Sequence, residues 1–205
     1  MKHVEITNEF DARHAAIAIA YNACRDGRGH NRAGGDPVHE HVTEGRRTQW
    51  EQARARGAAW AQRGTYSSCG DLAHYMLYAL GCRDSRYVNR DELAGWRVGA
   101  NISMLCSSPW FLSDGAPKVG DILYVTGPEH VCVLLSRVSD DKWITADYGQ
   151  PYACVHHAHV QRVPGAGVFV RKRPLRGFVS IAKVPLVAPA CVPDVFYLRG
   201  DEDET

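Results

Sequence analysis

Apolar positions along this chain change period part-way, from helical spacing in the first half to strand spacing in the second. Ala12, Ala15, Ala16 and Ile19 recur on one helical face, and Asn8 just before them is a favourable N-cap. A second helix is predicted over about residues 48–62, with Trp50 and Trp60 as packing anchors. A third begins after Ser68, whose spacing to Asp71 matches a capping box, so Cys69 becomes its first residue. Its apolar face runs through Leu72, Tyr75, Met76, Ala79 and Leu80, and Gly81 supplies the stop. Strands are expected at 121–126, 130–136, 142–147, about 167–173 and 177–184. Val131 to Leu135 is apolar at every position, which marks a central strand covered on both sides. Asp140-Asp141 makes the turn that follows it. Residues 25–45 read as a long polar loop. Residues 84–115 are ambiguous, with Asn89 to Trp96 a candidate short helix and Ser107-Ser108-Pro109 a turn.

These elements predict an α+β fold in one domain over residues 1–205. The helical part covers about 1–115, the β-rich part about 116–185 and a C-terminal extension 186–205, ending in an acidic tail. A chain of 205 residues buries a sizeable core alone. Lys and Arg number 24 against 23 Asp and Glu, so no basic field recommends a nucleic-acid partner. No apolar run reaches membrane-spanning length, and Met1 to Glu5 lacks an apolar signal region. The expectation is therefore no membrane and a cytoplasmic location by default, with signal-independent export open. Seven unpaired-looking cysteines are read as reduced and mostly buried.

The candidate chemistry lies at three element ends. Cys69 opens a helix, where the dipole and free backbone N–H groups favour a thiolate. The same N–H groups, Gly70 among them, can hold an oxyanion. The carboxylate of Asp71 works against the thiolate unless it turns back to cap the helix. His130 opens one strand and Asp147 closes the next, with Trp143, Thr145 and Asp147 on one face. In an antiparallel pair those positions approach across the ladder. Asp147 is then placed to accept from the imidazole and fix its tautomer. Gln150 competes for that role, or serves as a polar oxyanion donor. Tyr66 either lends its hydroxyl to oxyanion or substrate, or packs under the helix start. Trp110 is read as core or cleft wall. Cys, His and Asp in this order have the spacing of nucleophile, base and orienter.

Ser68-Cys69-Gly70-Asp71-Leu72, Gly120-Asp121-Ile122-Leu123 and His130-Val131-Cys132-Val133 resemble the papain-like hydrolases of the NlpC and CHAP groups. The likeness covers roughly residues 60–185. It implies a helix packed on a small antiparallel sheet, with Cys69 as nucleophile, His130 as base and Asp147 as third member. Many such proteins cleave peptide or amide bonds of bacterial cell walls, so a peptide or peptidoglycan substrate is expected. The chain departs from the NlpC pattern in having Ser68 before and Gly70 after the cysteine, and Asp rather than His as third residue. Cys69 to Ala73 with Ala79 to Arg83 is also similar to the nucleophile helix of transglutaminases. That family implies acyl transfer or deamidation. A protease acting on a protein and a catalytically inactive binding module complete the alternatives. No cofactor or metal is expected. His39 and His41, and His156, His157 and His159, are read as solvated loops, because no cysteine or carboxylate set with zinc spacing accompanies them.

Overall fold

Polar Asn8 does start the first long helix. Its side-chain oxygen accepts from the Asp11 N–H at 3.0 Å, and Asp11 Oδ2 accepts in return from Asn8 Nδ2 at 2.7 Å. Residues 1–24, 55–56, 69–84, 106–125, 130–139, 142–147, 159–162 and 175–194 are described by the computed structural model. Helix α1 is Glu9–Cys24, and helix α2 is Cys69–Ala79. The buried apolar positions of α1 are mostly alanine, with Ile19 the one large apolar side chain among them. Small side chains let the α1 backbone come close to its neighbours. At Gly120, where φ is +87°, a Cβ would stand 3.0 Å from the Arg13 carbonyl oxygen.

Helix α2 is more deeply placed than its pattern indicates. Leu72, Tyr75, Met76, Ala79 and Leu80 are buried as expected, and so are Ala73, His74 and Leu77. A helix covered nearly all round is a core helix. It packs on α1 and on the sheet. Burial of Leu72, Met76, Leu77 and Leu80 contributes roughly 1.5–3 kcal/mol each relative to exposure. Its end is a Schellman motif. The Gly81 N–H donates to Tyr78 O and the Cys82 N–H to Leu77 O, both at 3.0 Å, with Gly81 at φ +98°.

Among the described residues, the strands in chain order are β1 (Lys2–Val4), β2 (Phe111–Leu112), β3 (Ile122–Val125), β4 (His130–Ser139), β5 (Lys142–Asp147), β6 (His159–Arg162), β7 (Leu175–Val179) and β8 (Ala190–Val192). Six form an antiparallel sheet of order β2-β7-β3-β4-β5-β6. The molecule is thus α+β, with a helical layer on an antiparallel sheet. Strand β4 is internal, as its apolar run requires. Val131, Val133 and Leu135 join the large cluster that includes α1 and α2, while Cys132 and Leu134 pack with Leu123, Trp143 and Phe178. No helix among the described residues is long and apolar enough to cross a membrane.

Several expectations need correction. The strand read as 177–184 is Leu175–Val179, and a 3-10 turn at Ile181–Lys183 replaces its end. The Asp121 carboxylate captures the Ile181 N–H at 3.0 Å and draws the chain off the sheet. His159, read as loop, opens β6, because Ile144 and Val160 pair across β5 and β6. The part read as helical also holds strand β1, and residues 190–192 of the part read as an extension form strand β8. Strands β1 and β8 pair antiparallel, with Ala190 and Val192 fully buried. Trp110 is buried in the core. The predicted loop 25–45, most of the helix 48–62, the helix Asn89 to Trp96, the Asp140-Asp141 turn, the strand 167–173 and the acidic tail lie outside the described residues.

Candidate active site

Cys69, His130 and Asp147 each stand at the end of an element, where the backbone is held on one side. Cys69 is the first residue of α2, where the opening N–H groups lack intrahelical acceptors. Gly70, beside it in the first turn, is buried. His130 is the first residue of β4 and pairs with Val125. Asp147 is the last residue of β5, and its register partner is Cys132. His130, two residues before Cys132, is therefore diagonal to Asp147 on the same face.

The side chains close that diagonal. His130 Nε2 lies 2.7 Å from Asp147 Oδ1, with His130 fully buried. Thr145 Oγ1 donates to Asp147 Oδ2 at 2.5 Å, so both carboxylate oxygens are held. The Cys24 thiol at the end of α1 donates to the Asp147 carbonyl at 3.6 Å, which fixes the strand end. Cys69 also acts on the His130 ring and favours its protonated form. Burial pulls the imidazolium toward its neutral form. The hydrogen bonds and negative charge of Asp147 and Cys69 outweigh it and raise the His130 pKa to about 9. At neutral pH the ring is a cation between two acidic partners. The site is closed: Cys69 is 1% and His130 0% exposed.

No protein-family model matches this chain, and neither the curated proteins nor the solved structures yield a match.

His130 and Asp147 meet in space, Cys69 is near enough to act on the ring, and Gly70 follows Cys69 in the first turn of α2. Tyr66 and Gln150 lie outside the described residues. The Gly120-Asp121 lead-in has a different duty. Asp121 Oδ1 binds Arg13 Nη1 at 2.7 Å and accepts the Ile181 N–H, while Oδ2 accepts the Lys118 N–H at 2.8 Å. Arg13 also donates to Glu9 at 2.7 Å and to the Val119 carbonyl at 2.9 Å. The Gly120 N–H donates to Leu134 O at 2.7 Å, and the Leu134 N–H to Asp121 O at 3.0 Å. This buried joint ties α1, the start of β3, β4 and the 3-10 turn after β7 together and supports the β3–β4 register that carries His130. Arg13 went unnoticed in the sequence. Its signal was a charge beside the Ala12, Ala15, Ala16 face, four residues after Glu9. Cys132 was likewise not singled out. Among the described residues, His130, Cys132 and Asp147 each offer a donor atom within 4.8 Å of the others.

Proposed function

We propose that this protein is a papain-like thiol hydrolase that cleaves an amide or peptide bond through Cys69, His130 and Asp147. One observation carries the reading: a buried histidine meets a carboxylate at 2.7 Å, and a helix-opening cysteine acts on the same ring. The order of nucleophile helix, Gly-Asp strand, histidine strand and aspartate strand supports the papain-like assignment. A thiol beside an imidazolium and a helix N-terminus ionises readily, although burial works against the charge. The Cys69 thiolate attacks the substrate carbonyl, and backbone N–H groups of the first turn, those of Cys69 and Gly70, receive the oxyanion. The His130 imidazolium passes its proton to the leaving amine as the acyl-enzyme forms. The now neutral ring takes a proton from water, which attacks the thioester and releases the acid and the thiolate. Asp147 holds the ring in one tautomer throughout and never leaves it. Because the trio is buried, substrate entry requires the site to open.

Cell-wall peptide is the first substrate to test, on the strength of the resemblance of these motifs to wall hydrolases. Purified muropeptides are incubated with the protein and with Cys69→Ala, and the products are weighed by mass spectrometry. New amine and carboxyl termini formed by the wild type alone are expected. Mass gains from transferred groups would replace hydrolysis with transglutaminase-like transfer. Equal turnover by a folded Cys69→Ala protein would end the mechanism.

A further inference from the structure

The trio has a close neighbour that hydrolysis does not use. Cys132 follows His130 by two residues on β4, which puts both on one face of the sheet. The β4–β5 register sets Cys132 directly opposite Asp147. One donor atom each from His130, Cys132 and Asp147 lies within 4.8 Å of the other two, and all three residues are buried. Cys132 also packs with Leu123, Leu134, Trp143 and Phe178, as any small apolar side chain there would. What distinguishes it is the sulfur beside an imidazole and a carboxylate.

Those three donor types together suit zinc and its thiophilic relatives. Zinc bonds of roughly 2.0–2.3 Å in a tetrahedron set donors about 3.3–3.7 Å apart. Donors now no more than 4.8 Å apart reach that spacing by shifts of about 1 Å, and the 2.7 Å contact between His130 Nε2 and Asp147 Oδ1 opens by a similar amount. The Thr145 hydroxyl already orients the second carboxylate oxygen, as an outer-shell partner does. Three protein donors leave one tetrahedral position for water.

We propose that His130, Cys132 and Asp147 form a binding site for a thiophilic divalent cation of the zinc class, and that occupancy silences the hydrolase. The second half rests on the function proposed above; the first does not. The ion takes the ring nitrogen and the carboxylate that otherwise make His130 a proton carrier. Cys132 binds as thiolate and His130 as neutral imidazole, so the displaced protons go to solvent. Hard cations such as magnesium, which need oxygen donors, stay out.

The test uses the full chain, reduced and stripped with EDTA, and titrated with Co2+. A thiolate-to-cobalt charge-transfer band is expected to saturate at one equivalent and to bleach when Zn2+ is added. The band persists in Cys69→Ala and disappears in Cys132→Ser, whose Zn2+ affinity falls roughly tenfold or more. Asp147→Asn keeps the band and binds more weakly. Cadmium NMR of the wild type is independent of how well the Cys132→Ser protein folds; a shift for one sulfur donor is expected. No band, a band that survives in folded Cys132→Ser, or a cadmium shift for zero or several sulfurs overturns the site. Zn2+ should also stop Cys69-dependent muropeptide cleavage, and EDTA should restore it. Cleavage insensitive to Zn2+ at saturating occupancy overturns the silencing alone. Absence of any cleavage counts against the hydrolase, while the cobalt and cadmium readouts still decide the site.

Discussion

Replacing Asp147 by asparagine removes one negative charge and almost no volume from a buried site. His130 rises from 6.5 to about 9 against the opposing effect of its burial, which corresponds to about 3 kcal/mol of preference for the charged ring. Asp147 supplies the first of the raising influences, and Cys69 supplies the other. The folded pKa is above the unfolded one, so the stabilisation is fully present below about 6.5 and is lost as pH rises through about 9. Asp147→Asn should therefore be less stable than wild type by about 2–3 kcal/mol at mildly acid pH. The gap should narrow on moving above pH 9, where the ring is neutral in both proteins. Urea unfolding of the two proteins, followed by fluorescence across this range, measures the difference directly. Lysines, tyrosines and other groups that titrate in both proteins cancel. A gap that stays constant with pH, or widens as pH rises, would refute the charged pair. So would an asparagine variant as stable as wild type at mildly acid pH.

Other outcomes follow from the same geometry. If Cys69 forms an ion pair with His130, its iodoacetamide alkylation rate should change less than about threefold between roughly pH 8 and pH 6. N-acetylcysteine falls nearly a hundredfold over that range, and peptide mapping identifies the labelled residue. A Cys69 rate that tracks the model thiol would show no pairing. Fast labelling confined to the half-buried Cys106 and Cys191 would show that the site does not open. Asp121→Asn removes the buried one of Arg13's two carboxylate partners and leaves only the half-exposed Glu9, and thermal unfolding should report a loss of about 2–3 kcal/mol. Gly81→Ala combines φ +98° with a Cβ driven into the Ala188 carbonyl. It should cost at least 1–2 kcal/mol by the same measurement, roughly the left-handed penalty alone.

The sequence by itself determined what depends on neighbours along the chain. Asn8 capping α1, Cys69 opening α2 and Gly81 ending it are local events of capping chemistry and backbone freedom. The β4 and β5 strands were legible because an apolar run and an alternating run have distinct periods. His130 and Asp147 were placed near one another because two consecutive antiparallel strands bring their far ends together. Pairings between distant segments had no local signature. Strands β1, β2 and β8 are two or three residues long and exist only because a partner far along the chain supplies the hydrogen bonds. The Arg13–Asp121 joint spans 108 residues, so neither charge announces the other. Cys132 looked like one more small hydrophobe until the β4–β5 register set its sulfur opposite Asp147. Only the tertiary structure decides register, because it depends on which side chains pack on each face of the sheet. A slip of one residue would have sent that sulfur to the other side.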